Sequence, residues 1–443
     1  MRSKYLFLLI FFVSSFQAQA ILPIQHWQTS NGAKVYFVEN RDIPMLDLSI
    51  DFTAGSGMDS TQKPGVASMT NRILRLGAEG MDEDEIARKT ADIGAGVSGR
   101  FDSDRAGLYV RTLSSRAERE QAIDVFTRIL HKPVFPAGAF EREKTRLISS
   151  IKESDIQPGS IAGRTFNELI YRGHPYGLRA SGDVESVGKI TRDDLVNFYR
   201  KHYVARDAII AIMGDVSRDE ANALAERITA GLPPSQGAPA ALPPVEAQPQ
   251  SATRMIPHHA SQSHILVGSV AIARDDPDYF SLFVGNYVLG GGGFASRINE
   301  EVRQKRGLAY SAYSYFSPLA QKGSFVIGMQ TRKDQAKEAL EVTMKTLRDY
   351  IASGPTAQEL DDAKKNLIGG FPLRIDSNRK IHDYLTVIGF YKLPLTYLDD
   401  FVKNIERVTA ADIKRAFAAR VDPGKLVTVV VGAEEGSSAA AAR

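Results

Sequence analysis

Arg303 and Tyr310 stand seven residues apart in the stretch Glu300 to Phe316, EEVRQKRGLAYSAYSYF. The stretch reads as a charged helix end, a glycine, and a strand with period-two alternation. That alternation puts Tyr310, Ala312, Ser314 and Phe316 on one face, and Ala309, Ser311, Tyr313 and Tyr315 on the other. Arg303 lies about two helical turns before the strand, close enough to converge with Tyr310 across the intervening turn. A guanidinium beside a phenol is a pair of donors suited to an oxyanion, and neither is a hydrolytic base at neutral pH. The stretch alone favours a plainer reading: a solvated helix-end charge beside a core aromatic.

Positioning such a pair takes a folded chain, and the composition is that of one. The chain has 443 residues, 43% hydrophobic and 24% charged, which suggests two or three domains. The formal net charge is +3, and Arg2 and Lys4 carry two of those charges. No large basic patch points to nucleic acid as a partner.

Arg2 and Lys4 precede an apolar run from Tyr5 to Val13, then polar residues and Ala18-Gln19-Ala20. This is the pattern of a secretory signal peptide, residues 1–20, cleaved after Ala20. The run falls well short of the roughly 20 apolar residues of a membrane-spanning helix. With no cysteine in the chain, disulfides, thiolate ligands and an acylated N-terminal cysteine are excluded. A periplasmic location is the simplest expectation, with secretion beyond it as the alternative.

Strands are expected at Lys34–Glu39 and Met45–Thr53, then a helix in which Val66, Met69, Ile73 and Leu76 line one face. A helix opens at Asp82, a hairpin covers Val97–Leu113, and a helix runs over Arg116–Leu130. A long helical region from Phe140 to Tyr171 is interrupted at Pro158, which lacks the donor a helix interior needs. A helix capped by Thr191, a buried strand Ala208–Met213 and a helix ending near Thr229 complete a first unit, residues 21–232. Six prolines between Pro233 and Pro249 mark a semi-rigid linker, residues 233–252.

The same order of elements then returns over residues 253–433, before a tail at 434–443. Phe140–Leu147 (FEREKTRL) echoes Leu360–Leu367 (LDDAKKNL), and Ile190–Leu195 (ITRDDL) echoes Val408–Ile413 (VTAADI). The expectation is an α+β fold, an internal duplication of two α/β sandwich units.

With these features in hand, the chain resembles the pitrilysin/insulinase zinc metallopeptidases, including the mitochondrial processing peptidases. The resemblance covers nearly all of the mature chain. It rests on the duplicated units, on PGVASMTNRILRLGA, on HPYG at His174 to Gly177, and on the glycine-rich turn followed by RQKRGLAYSAYSYF. Catalytic members carry H-x-x-E-H on the first helix of the first unit, two histidines on one metal and a glutamate that activates water. Here those positions read Ser68, Met69, Thr70, Asn71 and Arg72. The family's third ligand, a glutamate on the later long helix, matches Ser149 or Ser150. Residue by residue the resemblance implies no metal in this chain, with Ser68, Asn71, Arg72 and Ser149 or Ser150 as degenerate positions. None of the eight histidines pairs with another histidine and a glutamate at helical metal spacing. His258, His259 and His264 lead into a strand with no acidic neighbour, and His174 reads as a residue that shapes its turn.

The resemblance also implies that Arg303 and Tyr310 are the family's arginine and tyrosine, which reach the zinc site of a first unit and stabilise charge on the attacked carbonyl. Gly290, Gly291, Gly292 and Gly293 fall where processing peptidases carry a substrate-binding loop, although a simple helix break is an equal reading. The expected function is therefore a noncatalytic subunit of a periplasmic heterodimeric zinc metalloendopeptidase. A homologous H-x-x-E-H subunit would hold the zinc, and peptides or unfolded chains would be the substrates. The alternative is a peptide-binding or structural scaffold with no part in hydrolysis.

Overall fold

The computed structural model describes residues 23–234, 237, 241–246 and 250–433. The expected signal peptide and tail lie outside these residues, and the linker lies partly outside them. The chain runs through β1 (Gln25–Gln28), β2 (Lys34–Glu39), β3 (Met45–Phe52), α1 (Val66–Leu74), β4 (Gly77–Ala78), β5 (Met81–Asp82), α2 (Glu83–Asp92), β6 (Gly96–Phe101) and β7 (Ala106–Leu113). Next come α3 (Arg116–His131), α4 (Ala137–Asp155), α5 (Pro158–Ile170), α6 (Val184–Lys189), α7 (Arg192–His202), β8 (Ile209–Gly214) and α8 (Arg218–Ala230). The second half begins with β9 (Ala252–Pro257), β10 (Gln262–Val270), α9 (Tyr279–Asn286), α10 (Arg297–Asn299), β11 (Ala309–Ser317) and β12 (Ser324–Arg332). It ends with α11 (Ala336–Ser353), α12 (Ala357–Gly369), α13 (Asn378–Phe390), α14 (Tyr397–Arg407), α15 (Ala410–Arg420) and β13 (Val427–Ala433).

Local chemistry explains the boundaries. Pro158 opens α5 at its first position, where the missing N–H costs nothing. Thr191 and Asp194 form a reciprocal capping box on α7, and Thr409 and Asp412 form the same box on α15. The sequence echo between these segments is thus a shared helix start.

Both sheets are mixed, and their strand orders coincide apart from β1, an extra edge strand of the first. The first runs β1-β2-β8-β3-β7-β6 and the second, read from its other edge, β9-β13-β10-β12-β11. In each the parallel pair occupies the same place, β2 with β8 and β9 with β13, and the remaining pairs are antiparallel. The central strands are near-continuous apolar runs, IIAIMG and VTVVVGA, as strands covered on both faces must be.

The coverage is reciprocal between the halves. Helix α5 of the first half packs on β13 and β10 of the second, placing Ala162, Phe166 and Ile170 against Val427, Val429 and Val431. Helix α13 of the second half packs on β8, β3 and β2 of the first, placing Ile381 and Leu385 against Val38, Ala211 and Met213. The linker joins this seam: Val245 is buried in the α5 cluster, and the His174 ring contacts the Pro243 carbonyl at 2.9 Å. His174 Nδ1 accepts from the Tyr176 N–H, so Nε2 carries the proton that reaches Pro243.

This exchange explains the alternation of β3. Leu46, Leu48, Ile50 and Phe52 face the first core, while Asp47, Ser49 and Asp51 are fully buried on the opposite face. That polar face lies under α13, not in water. Asp51 meets Arg100 at 3.2 Å, Asp47 bonds the Tyr109 hydroxyl, and Arg100 reaches Thr386 and Asp383 on α13.

Candidate functional site

Arg303 lies in the turn Glu300–Gln304, a widened helical turn continuing α10. The main chain leaves it through Gly307, whose φ is +62°, with Leu308 N–H donating back to the Val302 carbonyl at 2.9 Å. β11 then starts with a bulge: Ala309 pairs with Thr331 and Ser311 with Gln330, leaving Tyr310 opposite nothing. The bulge corrects the expected strand faces. Tyr310 does not share the side of Ala312 and Ser314, which are buried; it is turned outward and is 79% exposed. Further along, Tyr313 and Tyr315 also face outward, stacked at 5.9 Å, and β11 is an edge strand.

The outward turn brings Tyr310 to Arg303. The guanidinium carbon lies 4.6 Å from the Tyr310 ring centroid and 4.5 Å from that of Phe294, so the cation sits between two aromatic faces. Phe294 follows the glycine cluster directly, and Gln304 Nε2 donates to its carbonyl at 2.6 Å. The cluster is pinned to β11: Asn286 bonds the Ser314 carbonyl and hydroxyl at 2.9 and 2.7 Å. Gly290 lies so close to β11 that a Cβ would collide with Ser314. Gly290–Gly293 thus set the place of Phe294, a third member of the constellation that the sequence reading did not single out. A large exposed aromatic directly after a glycine run was the available signal.

Charge separates Arg303 from its neighbours. Lys305 pairs with Glu300 and Glu301 at 2.9 and 2.7 Å, and Arg306 with Glu301 at 2.6 Å. Among the described residues no carboxylate stands within 4.0 Å of the Arg303 guanidinium. Its donors are therefore open to an incoming anion.

The positions expected to be degenerate metal ligands, Ser68, Asn71 and Arg72, lie on α1. Asp59 fixes the start of that helix by accepting from the Gly65 and Ala67 N–H groups, both at 2.8 Å. Asn71 is buried and donates to the Gly107 carbonyl at 2.9 Å. Arg72 reaches Glu143 of α4 at 3.0 Å, and Arg146 holds the other oxygen of that carboxylate at 2.7 Å. Burial alone would raise the Glu143 carboxyl, but hydrogen bonds from Arg72 and Arg146 hold it below the usual carboxylate range. Ser149 and Ser150 are exposed about two turns further along α4, so the acid that meets α1 is Glu143. Zinc does not fit this face: Arg72 places a cation where a dication would bind, and its carboxylate is already engaged. Among the described residues no group of three or more His, Cys, Asp or Glu is placed to hold a metal ion. No helix among them is long and apolar enough to cross a membrane.

The chain is an α+β fold with two mixed sheets, the first half carrying an Arg72–Glu143 pair on α1 and α4 and the second presenting Arg303 beside Tyr310. Comparison with known proteins agrees: the family model described as insulinase (peptidase family M16) matches residues 35–183, and that described as peptidase M16 inactive domain matches residues 189–367. The chain belongs to the insulinase, or M16, family. The non-peptidase homolog YmxG of Helicobacter pylori is 26% identical over 433 residues, covering 96% of this chain and 98% of its own. A crystal structure of a peptidase M16 inactive domain from Pseudomonas fluorescens superposes with a TM-score of 0.89 at 37% identity, covering 93% of this chain and 98% of that one. The periplasmic protease PqqL of Escherichia coli shares the fold, with a TM-score of 0.80 at 15% identity over 98% of this chain and 49% of its own.

Proposed function

We propose that this chain is the noncatalytic subunit of an exported, heterodimeric zinc metalloendopeptidase. A homologous subunit with an intact H-x-x-E-H motif holds the zinc, in the periplasm, and peptides or unfolded chains are the substrates. This chain supplies Arg303 and Tyr310 as donors to the oxyanion formed when water attacks the peptide carbonyl. The observation that carries the reading is how the pair is presented. Arg303 is clamped between Phe294 and Tyr310 without a carboxylate partner, and the Tyr310 ring is exposed beside it. A preorganised donor spends no reorganisation energy when charge develops, and losing one such donor typically lowers turnover by about 10²–10³. The glycine turn beside the pair suits close approach by a peptide main chain.

The test uses the purified chain, alone and with the H-x-x-E-H protein that co-purifies with it from its own cells. Alone it should bind no stoichiometric zinc and cut no peptide; the mixture should cut. Arg303→Ala or Tyr310→Phe should slow the mixture about a hundredfold with little change in subunit association. Unchanged turnover in both variants would remove Arg303 and Tyr310 from the chemistry.

A second reading, a peptide-binding scaffold without hydrolysis, is favoured by the open β11 edge and its exposed Tyr313–Tyr315 stack, a surface able to receive an extended chain. It predicts peptide binding with no peptidase partner in a pull-down and no effect of Arg303→Ala on any cleavage.

A further inference from the structure

The face of α1 that carries Arg72 has a chemistry of its own. The hollow between α1, β6 and α4 is lined by Arg72, Arg75 and Arg146, with Leu76 and Phe101 beside them and Gly99 on the β6 side. Arg72 and Arg146 share the single buried carboxylate of Glu143. Arg142 adds a fourth guanidinium, 3.7 Å from Glu143 and paired with Glu83. Four guanidinium groups therefore face two carboxylates.

Arg75 is the unmatched member. No carboxylate lies within 4.0 Å of it among the described residues, and its Nε is buried without a hydrogen-bond acceptor. Burial, and then the neighbouring Arg72 charge, pull its guanidinium below its ordinary value. A donor walled in this way is unfavourable until an anion arrives, because a buried unpaired polar atom keeps its full desolvation cost. Glycine at 99 lets Asn71 and Arg75 pack against β6: a Cβ there would stand 3.0 Å from Arg75 Nε and closer still to Asn71.

We propose that this hollow binds a carboxylate group of a peptide chain. The planar guanidinium fork of Arg75 matches a carboxylate in geometry. Glu143 and Glu83 offset two of the four positive charges, which leaves a positive excess that attracts a carboxylate. Leu76 and Phe101, both half-buried, provide an apolar wall for a side chain next to the bound group. A free C-terminus with an apolar last residue has both parts, and so does an acidic side chain flanked by apolar residues. The inference is independent of any role in hydrolysis, since it concerns this chain by itself.

The experiment measures binding of three fluorescent peptides to the full mature chain at low salt, without any partner. One ends in leucine with a free carboxylate, the second is its C-terminal amide, and the third is the amide with one internal glutamate. At least one carboxylate-bearing peptide should bind about tenfold or more tighter than the plain amide. Comparison of the first and third identifies the source of the group, terminus or side chain. Arg75→Met and Arg146→Ala should each reduce that peptide to the affinity of the amide, with unchanged circular dichroism. Arg75→Met leaves no carboxylate orphaned, so loss of folding does not confound it. Equal binding of all three peptides would overturn the proposal, and so would carboxylate-dependent binding that both variants retain. Either failure leaves the reading of Arg303 and Tyr310 untouched, because no cleavage is measured.

Discussion

Arg72 on α1 donates to Glu143 on α4 across 3.0 Å. The buried acid on α4 is thus satisfied by arginine side chains, Arg72 on one oxygen and Arg146 on the other. Glu143 is 6% exposed, whereas the Arg72 side chain is 47% exposed, so solvent screens part of the interaction. Arg72→Met should therefore cost about 1 kcal/mol in urea denaturation, with Arg146 still holding the carboxylate. The pH dependence checks the cause. Glu143 has a depressed folded-state value, so its contribution is present above the unfolded carboxylate range and is lost as pH falls through the folded value. The gap between wild type and Arg72→Met should be constant above about pH 5 and close below it. A gap that persists near pH 3 would mean Arg72 acts through packing alone.

Arg303 between Phe294 and Tyr310 separates two contributions that a single deletion would mix. Tyr310→Phe keeps the ring under the guanidinium and removes only the hydroxyl. It should leave the melting temperature unchanged while lowering turnover in the proposed complex. Phe294→Ala opens one side of the clamp and should cost about 0.5–1 kcal/mol, the range of an exposed cation–π contact. Thermal melts of the two variants side by side test this, and a larger loss for Tyr310→Phe would contradict it.

Gly290 shows why the cluster is glycine at that position. A Cβ there would meet the Ser314 main-chain N and hydroxyl on β11. Gly290→Ala should destabilise the chain by about 1–3 kcal/mol, as forced overpacking does. Gly293→Ala, with a φ of +60° but open space around it, should cost about 1 kcal/mol through backbone strain alone. Melting curves that rank the two variants in the opposite order would refute the packing argument.

Much of this architecture is legible in the chain. The capping boxes at Thr191 and Thr409, the break at Pro158, and the apolar runs of β8 and β13 are local signals, and local chemistry decides them. The duplication follows from their recurrence. The bulge at Tyr310 is not legible, because a strand pattern keeps strict alternation until tertiary pairing inserts an extra residue. The acid facing α1 is not legible either: family spacing points to Ser149 or Ser150, while packing brings Glu143 to Arg72. Least visible is the exchange of α5 and α13, since nothing in either helix names the sheet it covers.

That exchange makes a prediction for stability. Leu385 is fully buried, on a helix of the second half, against the first half's sheet. Leu385→Ala should cost about 2–5 kcal/mol, as large-to-small core changes do. Hydrogen exchange should show the loss in β8 amides of the first half as well as in α13. Protection lost only within the second half would mean the units fold independently.

His382 lies on the same docked helix, fully buried and near the Tyr109 ring at 5.2 Å. Burial, and then the Arg100 charge, push its imidazole down to about 3 from an ordinary 6.5. His202 is similarly lowered to about 4, by burial and then by Lys201. The folded chain thus refuses protons that the unfolded chain accepts below pH 6.5. Their contribution to stability is complete above that value and is lost as pH falls toward the folded values. Asp51 and Asp47, raised by burial, act with the opposite sign, since their contribution is lost as pH rises through their folded values. A difference measurement isolates the histidine: the urea midpoint of wild type should fall between about pH 6 and pH 4 more steeply than that of His382→Gln, by close to one proton. Parallel profiles would show that the imidazole is protonated in the folded state and that α13 docks with its charge in place.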